Sequence, residues 1–327
     1  MSFSRQFLVG KSRAFVAALD NILKVSNVHS PVLITGETGT GKELFARAVH
    51  YLSRRSGNAF IPLNCGALHE HLFENELFGH VKGAYTGAGD SREGVVNDAR
   101  GGTLFLDEIN TLSTLSQVKL LRFLEDKTYR KLGSSNVVEA DIRIVSATNA
   151  NLDDAVKADK FREDLLYRIN ALTIELPPLR DRNGDIPLLA DHFLRQFCLE
   201  NERPSIYVSD AALKKLSSWR WPGNVRELKN VVNKAAVMCN SNIIRDADIC
   251  VGSIREDNAS GFTYKQAKDR TLERFEKEYV AKLLNMSAWN ISQASKSAQM
   301  SRQSFYRLIK KHNIPIQEEG SVTSVIR

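Results

Sequence analysis

The sequence predicts an α/β fold with a parallel sheet, followed by a smaller helical region and a separate all-α end. Three observations support this prediction. Over residues 1–171, compact apolar runs that end in polar residues alternate with helical patterns, and such alternation is typical of a parallel sheet covered on both faces. Residues 172–251 show helical patterns broken by Pro and Gly, and residues 262–312 are helical again. The 327 residues suit two or three domains.

The composition is that of an ordinary folded protein. The chain is 43% hydrophobic and 25% charged. No apolar run approaches the roughly 18 to 20 residues that cross a bilayer, and no long apolar stretch follows the first basic residues, so neither a membrane segment nor a secretory signal is predicted. The four cysteines lie far apart, which indicates reduced thiols in a cytoplasmic protein. A formal net charge of +7 permits a nucleic-acid partner without establishing one.

Four runs are predicted to form the buried strands of the sheet. Each is short, apolar and bounded by polar or turn-forming residues, and residues 42–55 and 115–126 between them have the spacing of helices. The end of such a strand is where the chain can turn toward a ligand. The four runs are PVLITG (31–36), AFIPLN (59–64), GGTLFLDE (101–108) and DIRIVSATN (141–149).

The first strand is followed by the pattern GxxxxGK, which opens a helix and matches a P-loop. Its glycines would let backbone N–H groups point inward around phosphate oxygens, and the helix N-terminus and Lys42 would add positive charge. An ordinary glycine-rich turn before a helix is the alternative. A standard P-loop has Ser or Thr after the lysine to bind magnesium, whereas this chain has Glu43. The residues predicted to bind nucleotide here are Gly36, Glu37, Thr38, Gly39, Thr40, Gly41, Lys42 and Glu43.

Polar side chains end the other three predicted strands. Asp107 and Glu108 follow an apolar run; we expect Asp107 to hold Mg²⁺, directly or through water, and Glu108 to orient and deprotonate the attacking water. Thr148 and Asn149 could sense a γ-phosphate or hold the water. Asn64 could hold Glu108 by a hydrogen bond until ATP is seated. Solvated acids and turn-forming amides are the alternatives, and the upstream P-loop favours the catalytic interpretation.

Another unusual stretch is FGHVKGAYTGAGD, residues 78–90. It has neither the period of a core segment nor the charge of a solvated loop. Small residues surround one aromatic ring and one hydroxyl, those of Tyr85 and Thr86. Because glycine has no Cβ, such a loop can rise or fold flat at low cost, while the ring offers contact area and the hydroxyl a directional hydrogen bond. A mobile surface turn without a partner is the alternative.

Several motifs occur in one order along the chain. They are GETGTGKE, LNC, ELFGHVKGAYTGA, GGTLFLDE, ATN, FREDLLYRIN, LPPLRDR and WPGNVRELKN. Together they resemble the AAA+ domain of bacterial enhancer-binding proteins, the ATPases that activate RNA polymerase carrying sigma-54. The resemblance covers most of residues 7–312, and Glu after the P-loop lysine is usual in that family, which removes the concern over Glu43. We expect similarity to its single-component members, such as phage-shock-protein F and the Hrp activators, in which no receiver or sensory domain precedes the ATPase.

The resemblance implies a role for each site residue. Asn64 matches the residue that switches Glu108, and Arg226 matches sensor II, which reaches back from the helical lid. Arg162 and Arg168 match arginine fingers, which reach the γ-phosphate bound by the next subunit and can contribute on the order of 10³ to 10⁵ in rate. Two solvated arginines on a helix are the alternative. Shared sites imply a ring, expected to be a hexamer, with ATP and Mg²⁺ as cofactors. The other matches are Lys42 (Walker A), Asp107 and Glu108 (Walker B), and Thr148 and Asn149 (sensor I).

The resemblance also identifies the small-residue stretch as the GAFTGA loop, which touches sigma-54 in this family. Here Tyr85 stands in place of Phe, so the ring is kept and a hydroxyl is added. One departure lies downstream, where the aromatic and acidic residues usual in the family are replaced by Val96 and Asn97. The residues expected to contact sigma-54 are Gly83, Ala84, Tyr85, Thr86, Gly87 and Ala88.

The C-terminal helices carry the pattern of a helix-turn-helix. Residues 287–312 contain five basic and no acidic residues, and Met300 and Ser301 supply a turn and an N-cap before a second helix. The region resembles the Fis-type domain that ends these activators, and residues 272–284 are expected to mediate dimerisation. A basic solvated helix pair is the alternative. The expected DNA contacts are Arg302, Gln303, Ser304 and Arg307, with Lys310 and Lys311 on phosphates.

These assignments predict five segments. They are an AAA+ α/β ATPase subdomain over 1–171, a helical lid over 172–251, a linker over 252–261, a Fis-type DNA-binding domain over 262–312 and a loose tail over 313–327.

Three functions are compatible with the motifs. The favoured one is a DNA-tethered ATPase that remodels sigma-54 holoenzyme and drives open-complex formation. The second is a DNA-binding repressor that uses ATP only to assemble, which would need neither GAYTGA nor the arginine pair. The third is another AAA+ machine, such as a loader acting on DNA, against which the loop and the terminal helices argue. A homo-oligomer, a hetero-oligomer with a paralogue and a regulator acting in trans all stay open, and neither the target genes nor the operator can be read from the chain.

Overall fold

The computed structural model shows a chain that divides into two compact units, residues 1–251 and 252–327. The division falls where the sequence predicted the linker to begin. The structure describes residues 8–68, 70–85, 88–239, 241–252, 289–312 and 314, with scattered positions from 268 to 287. The loop residues Thr86 and Gly87, residues 253–261 of the predicted linker and nearly all of the predicted tail lie outside the described residues. Every helix within the described part is too short or too polar to cross a membrane.

The first unit is built on a five-stranded parallel sheet, which confirms the predicted fold class. The described strands are β1 (Val32–Thr35), β2 (Phe60–Asn64), β3 (Gly79–His80), β4 (Arg92–Glu93), β5 (Thr103–Asp107), β6 (Thr128–Tyr129), β7 (Val138–Glu139), β8 (Arg143–Thr148), β9 (Leu172–Glu175), β10 (Tyr207–Val208) and β11 (Ile243–Ile244). The order in the sheet is β2-β5-β8-β1-β9. The register sets Asn64 beside Asp107 and Thr35 beside Thr148, so the predicted polar strand ends share one edge.

Helices cover both faces of this sheet, and several helices of the chain begin at a serine that caps them. Ser12, Ser113 and Ser209 each accept a hydrogen bond from a backbone N–H of the first turn that follows, which satisfies one of the donors left open at a helix start. The described helices are α1 (Arg13–Ser26), α2 (Lys42–Tyr51), α3 (Glu70–Phe78), α4 (Val95–Asp98), α5 (Thr114–Asp126), α6 (Leu152–Lys157), α7 (Glu163–Ile169), α8 (Asp185–Glu200), α9 (Asp210–Ser218), α10 (Asn224–Met238), α11 (Ile291–Ser297) and α12 (Arg302–Lys311).

Alternation along β5 sends its side chains into both layers of the core. Leu104 and Leu106 join one cluster with Leu77 of α3, whereas Phe105 joins the other with Phe45 of α2. Each of these side chains is buried, and burial of one large apolar side chain contributes about 1.5–3 kcal/mol. The strand that ends at the predicted acidic pair is therefore held rigidly from both sides.

Strand β9 corrects the predicted boundary of the α/β region at residue 171. It pairs in parallel with β1 over its whole length, from Leu172 to Glu175, so the sheet extends four residues further than predicted. Only Ile174 among its four side chains is fully buried. The segment therefore lacks the continuous apolar run that is typical of a strand buried on both faces.

The segment before α1 is fastened to the start of α8 by a buried charge network. Asp185 is fully buried, and its Oδ1 accepts hydrogen bonds from the backbone N–H of Lys11 at 2.7 Å and of Ser12 at 3.0 Å. Its Oδ2 accepts from Ser12 Oγ at 2.9 Å and from Arg182 Nε at 3.0 Å. Burial raises the pKa of Asp185, but these hydrogen bonds outweigh burial and hold the pKa below its usual value. Arg182 also stacks on Phe15, 3.9 Å from the ring centroid.

Helices α8, α9 and α10 form the predicted helical lid, with a core of its own. Trp221 is fully buried at its centre, and the indole Nε1 donates a hydrogen bond to the Leu216 carbonyl at 2.9 Å. A buried Trp without such a partner would leave a desolvated donor. The lid is part of the first unit, which places it beside the sheet.

The second unit contains the predicted helix pair, α11 and α12. Ala294, Phe305 and Ile309 pack with Val280 and Leu284 in a small core. Ser301 caps α12 as predicted, since its side chain accepts a hydrogen bond from Ser304 N at 3.1 Å. The pair has the short turn and close packing expected of a helix-turn-helix. Only some positions of the expected dimerisation segment, residues 272–284, are described.

Candidate functional site

The P-loop lies between β1 and α2, and its lysine points back into it. Lys42 Nζ donates hydrogen bonds to the carbonyl oxygens of Gly36 at 2.8 Å and Glu37 at 3.1 Å. Burial lowers the pKa of Lys42, and the nearby carboxylates of Asp107 and Glu108 oppose that shift. The predicted lysine and the predicted acidic pair therefore lie close enough to interact electrostatically.

Two glycines of the loop hold positions that other residues could not take easily. Gly41, with φ 102°, begins α2 as its N-cap, a backbone conformation that L side chains rarely adopt. Gly39 has φ 82°, and a Cβ there would collide with the Gly223 carbonyl of the lid. The loop is thus shaped both by its own backbone and by close approach of the lid.

Asp107 is the last residue of β5, and Glu108, which follows it, has a strained backbone. Asp107 Oδ1 accepts a hydrogen bond from the Glu108 N–H at 2.9 Å. Glu108 itself has φ 54°, in the left-handed region that few non-glycine residues enter. A Cβ on Gly66 would collide with Glu108 Oε2, so this carboxylate lies directly over Gly66. Strain of this kind is concentrated at functional sites.

Asn64 lies next to the acidic pair, but its side chain makes other contacts. Asn64 Oδ1 accepts hydrogen bonds from the N–H groups of Gly66 at 2.8 Å and Ala67 at 3.2 Å, capping the short helix Cys65–Ala67. Within the described residues, no hydrogen bond joins Asn64 to Glu108. Both side chains flank Gly66, and the switching role of Asn64 stays a prediction.

The two predicted sensor residues at the end of β8 make different contacts. Asn149 Nδ2 donates a hydrogen bond to Thr38 Oγ1 at 2.9 Å. Thr148 Oγ1 bonds Asn110 Oδ1 at 2.9 Å instead, so it supports the turn after the acidic pair. Of the two, Asn149 is therefore the one whose side chain contacts the P-loop.

Besides the close approach of Gly223, three residues following β9 form hydrogen bonds with the loop in the described structure, and the sequence predicted one of them. The Arg226 N–H donates to the Gly39 carbonyl at 3.2 Å, and the Arg226 side chain is exposed. Asn224, which precedes it by two residues, is fully buried and donates to Glu37 Oε2 and to the Thr38 carbonyl, both at 3.1 Å. Arg180 forms a two-pronged ion pair with the Glu37 carboxylate at 2.9 and 2.6 Å. The contacts of Asn224 and Arg180 could not be predicted from the local sequence patterns PPLRDR and WPGNVREL.

The predicted fingers lie at the two ends of α7 and bond away from the P-loop. Arg162 Nε and Nη2 donate to the Asp164 carboxylate at 3.0 and 2.6 Å, and the Arg162 side chain is exposed. Arg168 Nε and Nη2 donate to the Leu124 carbonyl at 3.3 and 3.0 Å. Neither guanidinium bonds a P-loop residue of its own chain in the described part of the structure.

The donor set fits a nucleoside triphosphate with a divalent cation. The loop carbonyls that hold Lys42 are acceptors that a phosphate oxygen could replace, and the N-terminus of α2 favours negative charge. Hard divalent cations take carboxylate oxygens, and Asp107 and Glu108 lie within electrostatic range of Lys42. The arrangement can therefore bind and polarise phosphates.

The GAYTGA loop rises from the β3–β4 pair. The Gly83 N–H donates to the Ala88 carbonyl at 3.0 Å, which closes the base of the loop. Tyr85 is 47% exposed, and its ring centroid lies 5.2 Å from that of the buried His80. Ala84 packs over Gly133, where a Cβ would lie 2.8 Å from the Ala84 Cβ. The aromatic ring is accessible, and the loop is seated on a second loop that the sequence did not single out.

Val96, which stands where the resemblance would place an aromatic residue, occupies a position in the hydrophobic core. Val96 in α4 is buried within the cluster that contains Leu104 and Leu106. Asn97 is partly exposed beside it. Val96 therefore serves packing beneath the sheet.

All six predicted DNA-contact residues lie on the exposed face of α12. One of them already has an acidic partner: Lys311 Nζ forms an ion pair with Glu276 Oε2 at 2.7 Å. His312 Nε2 lies 2.8 Å from the same oxygen. The six exposed residues are Arg302, Gln303, Ser304, Arg307, Lys310 and Lys311.

Comparison with known families matches three consecutive models to the chain. The sigma-54 interaction domain matches residues 8–175, the AAA+ ATPase lid domain matches 180–267, and the Fis family of bacterial regulatory proteins matches 271–312. The first model covers more than half of the chain and ends with β9.

Curated relatives and solved structures agree with these models. Transcriptional regulatory protein GlrR of Escherichia coli (strain K12) is 41% identical over 311 residues, covering 95% of this chain and 69% of that protein. The Nif-specific regulatory protein of Herbaspirillum seropedicae is 46% identical over 239 residues, covering 73% of this chain and 44% of that protein. Crystal structures of NtrX from Brucella abortus with ADP and with ATP, both 30% identical, superpose with TM-scores of 0.72 and 0.71 over 94% of this chain and 69% of theirs. The chain therefore belongs to the family of sigma-54-dependent, DNA-binding transcriptional activators.

Proposed function

We propose that this chain hydrolyses ATP at sites shared between neighbouring protomers of a ring, expected to be a hexamer. The free energy of ATP hydrolysis is used to remodel sigma-54 RNA polymerase holoenzyme and to drive open-complex formation. The observation that carries the proposal is the convergence of the half-buried Lys42 with the carboxylates of Asp107 and Glu108 at one edge of the sheet. The nucleotide-bound NtrX structures support the choice of ligand.

Each group at the sheet edge has a distinct task in this reaction. The P-loop N–H groups and Lys42 bind the β- and γ-phosphates, and Asp107 holds Mg²⁺, which when bound neutralises phosphate charge. Glu108 orients the attacking water and takes its proton, a step that contributes typically 10²–10⁴-fold. Asn149 contacts the γ-phosphate, a role supported by its hydrogen bond to Thr38 of the loop.

The neighbouring protomer supplies the arginine that stabilises the charge on the γ-phosphate. Arg162 and Arg168 bond Asp164 and Leu124 rather than the P-loop of their own chain. This supports a role in trans, where an arginine beside the γ-phosphate stabilises transition-state charge by a factor on the order of 10³–10⁵. Arg226 acts in cis from the lid, because its backbone is already bonded to Gly39.

The exposed loop and the last helix connect this reaction to transcription. Tyr85 and Thr86 contact sigma-54, and the small residues around them allow the loop to change height with the nucleotide state. Helix α12 enters the major groove of an upstream site, with Lys310 on a phosphate. Lys311 must exchange Glu276 for a phosphate to bind DNA.

Transcription in vitro from a sigma-54 promoter tests this function. With holoenzyme, the chain and ATP, we expect open complexes; with a non-hydrolysable analogue, we expect none. A repressor that uses ATP only to assemble would occupy DNA with either nucleotide and give no open complexes. Open complexes formed equally well with the analogue would contradict the proposal.

A further inference from the structure

We propose that Asn224 is a positioning residue that holds the P-loop in its phosphate-binding shape from the lid side, with the Arg180–Glu37 ion pair as a second support. The inference rests on the proposed ATP hydrolysis and adds residues that act on the loop rather than on the phosphate.

Asn224 uses its whole side chain to join three segments. Its Nδ2 donates to Glu37 Oε2 and to the Thr38 carbonyl, both at 3.1 Å, and its Oδ1 accepts from the Leu179 N–H at 2.8 Å. Asn224 and Leu179 are both buried, so removing the Asn224 side chain would leave the Leu179 N–H without its partner away from water, while the Glu37 carboxylate would keep only Arg180. Asn224 also has φ 51°, which Asn tolerates better than most residues.

The Glu37 side chain links this contact to the lysine. Its carboxylate is gripped by both Asn224 and the Arg180 fork. Its carbonyl accepts hydrogen bonds from Lys42 Nζ at 3.1 Å and from Thr40 Oγ1 at 2.8 Å. Fixing the carboxylate therefore fixes the backbone oxygen that holds the catalytic lysine.

Thr38 is held from two directions. The lid contacts its carbonyl through Asn224, and the end of β8 contacts its hydroxyl through Asn149 at 2.9 Å. Next to it, Gly39 lies so close to Gly223 that no side chain fits between them. The middle of the loop is thus clamped between sensor and lid.

This arrangement predicts an effect on nucleotide affinity rather than on the chemical step. When a phosphate binds, Lys42 must leave the loop carbonyls, and the loop keeps its shape only if it is held from outside. A loop that is already ordered loses less conformational freedom on binding. Without the clamp, the dissociation constant and KM should rise, while kcat at saturating ATP should change less, because Glu108 and Asp107 are untouched.

The test compares N224A and N224G with N230A, which removes an exposed Asn from the same helix. N224G keeps the left-handed backbone without strain, so it isolates the loss of the side chain. Titration with a fluorescent ADP analogue should show the dissociation constant rising about tenfold or more for both Asn224 variants, equivalent to ~1.4 kcal/mol per factor of ten. N230A should match wild type. R180A should raise the dissociation constant less, by about threefold, because the Arg180–Glu37 ion pair is half exposed. The control for R180A is R195A in α8.

A swapped pair separates positioning from folding. N224D places two carboxylates together and should bind nucleotide worse than N224G. Adding E37Q restores a donor and an acceptor across the pair in reversed order, and affinity should partly recover. Unchanged dissociation constants for N224G, or no recovery in E37Q/N224D, would overturn the inference while wild-type ATPase activity stands. A wild-type chain that binds no nucleotide would overturn the proposed function and this inference together.

Discussion

The buried charge network between the N-terminal segment and the lid offers a quantitative test of the fold. The substitution D185N keeps the side-chain shape but removes the negative charge of the carboxylate, to which Arg182 and the N–H groups of Lys11 and Ser12 donate hydrogen bonds. Arg182 and Asp185 are 3% and 0% exposed, so the arginine would be left without a counter-charge in a site that excludes water. Breaking such a pair costs about 3–5 kcal/mol. In a unit of this size, that corresponds to a fall of roughly 6–20 °C in Tm.

Urea denaturation at several pH values measures this cost. The folded-state pKa of Asp185 is depressed, so its stabilisation is complete above the unfolded pKa of about 4 and is lost as pH falls through the lower folded pKa. The difference in free energy of unfolding between wild type and D185N should therefore be full at neutral pH and shrink below about pH 4. The surface pair Arg195–Asp191 in the same helix supplies the control, because D191N should stay within about 0.5 kcal/mol of wild type. A D185N protein within that margin at pH 7 would refute the reasoning.

Three further predictions concern the site, the loop and the DNA-binding helix. E108Q should bind nucleotide normally but lose ATPase activity by a factor of about 10²–10⁴, measured as phosphate release; a small loss would exclude Glu108 as the base. T86A should keep most ATPase activity but lose sigma-54 binding and transcription activation, measured by gel shift and in-vitro transcription; full activation would make the loop assignment wrong. K310A should weaken DNA binding across sequences and lower the slope of log K against log salt by about 0.9, measured by fluorescence anisotropy; an unchanged slope would remove Lys310 from the phosphate contacts.

The phosphate-binding half of the site could be predicted because its chemistry is local in sequence. Lys42 follows its glycines directly, and Asp107 and Glu108 end a single apolar strand. Parallel strands bring such ends to one edge without further information, and the register of Asn64 with Asp107 bears this out. The N-cap at Ser301 was predictable for the same reason, since its partner is three residues away.

Contacts between distant segments could not be predicted in this way. Asn224 and Glu37 are 187 residues apart, and Arg180 and Glu37 are 143 apart. From sequence alone, an Asn at the start of a helix, such as Asn224, is interpreted as a helix cap, and an Arg in a charged run, such as Arg180, is interpreted as a solvated side chain. Strand β9 was missed for another reason, since the single buried side chain of Ile174 gives too weak a pattern. The seat of Ala84 on Gly133 likewise depends on two loops that only the fold brings together.

The central claim is that each ATP site is completed by an arginine from the next protomer, and a mixing experiment tests it most directly. K42A has no functional P-loop but keeps its fingers, and R162A/R168A has the reverse defect. Each variant alone should hydrolyse almost no ATP. Mixed in equal amounts and reassembled, they should recover about a quarter of wild-type activity, since one interface in four would pair an intact P-loop with intact fingers. No recovery from a mixture shown to co-assemble, or full activity of R162A/R168A alone, would contradict the account.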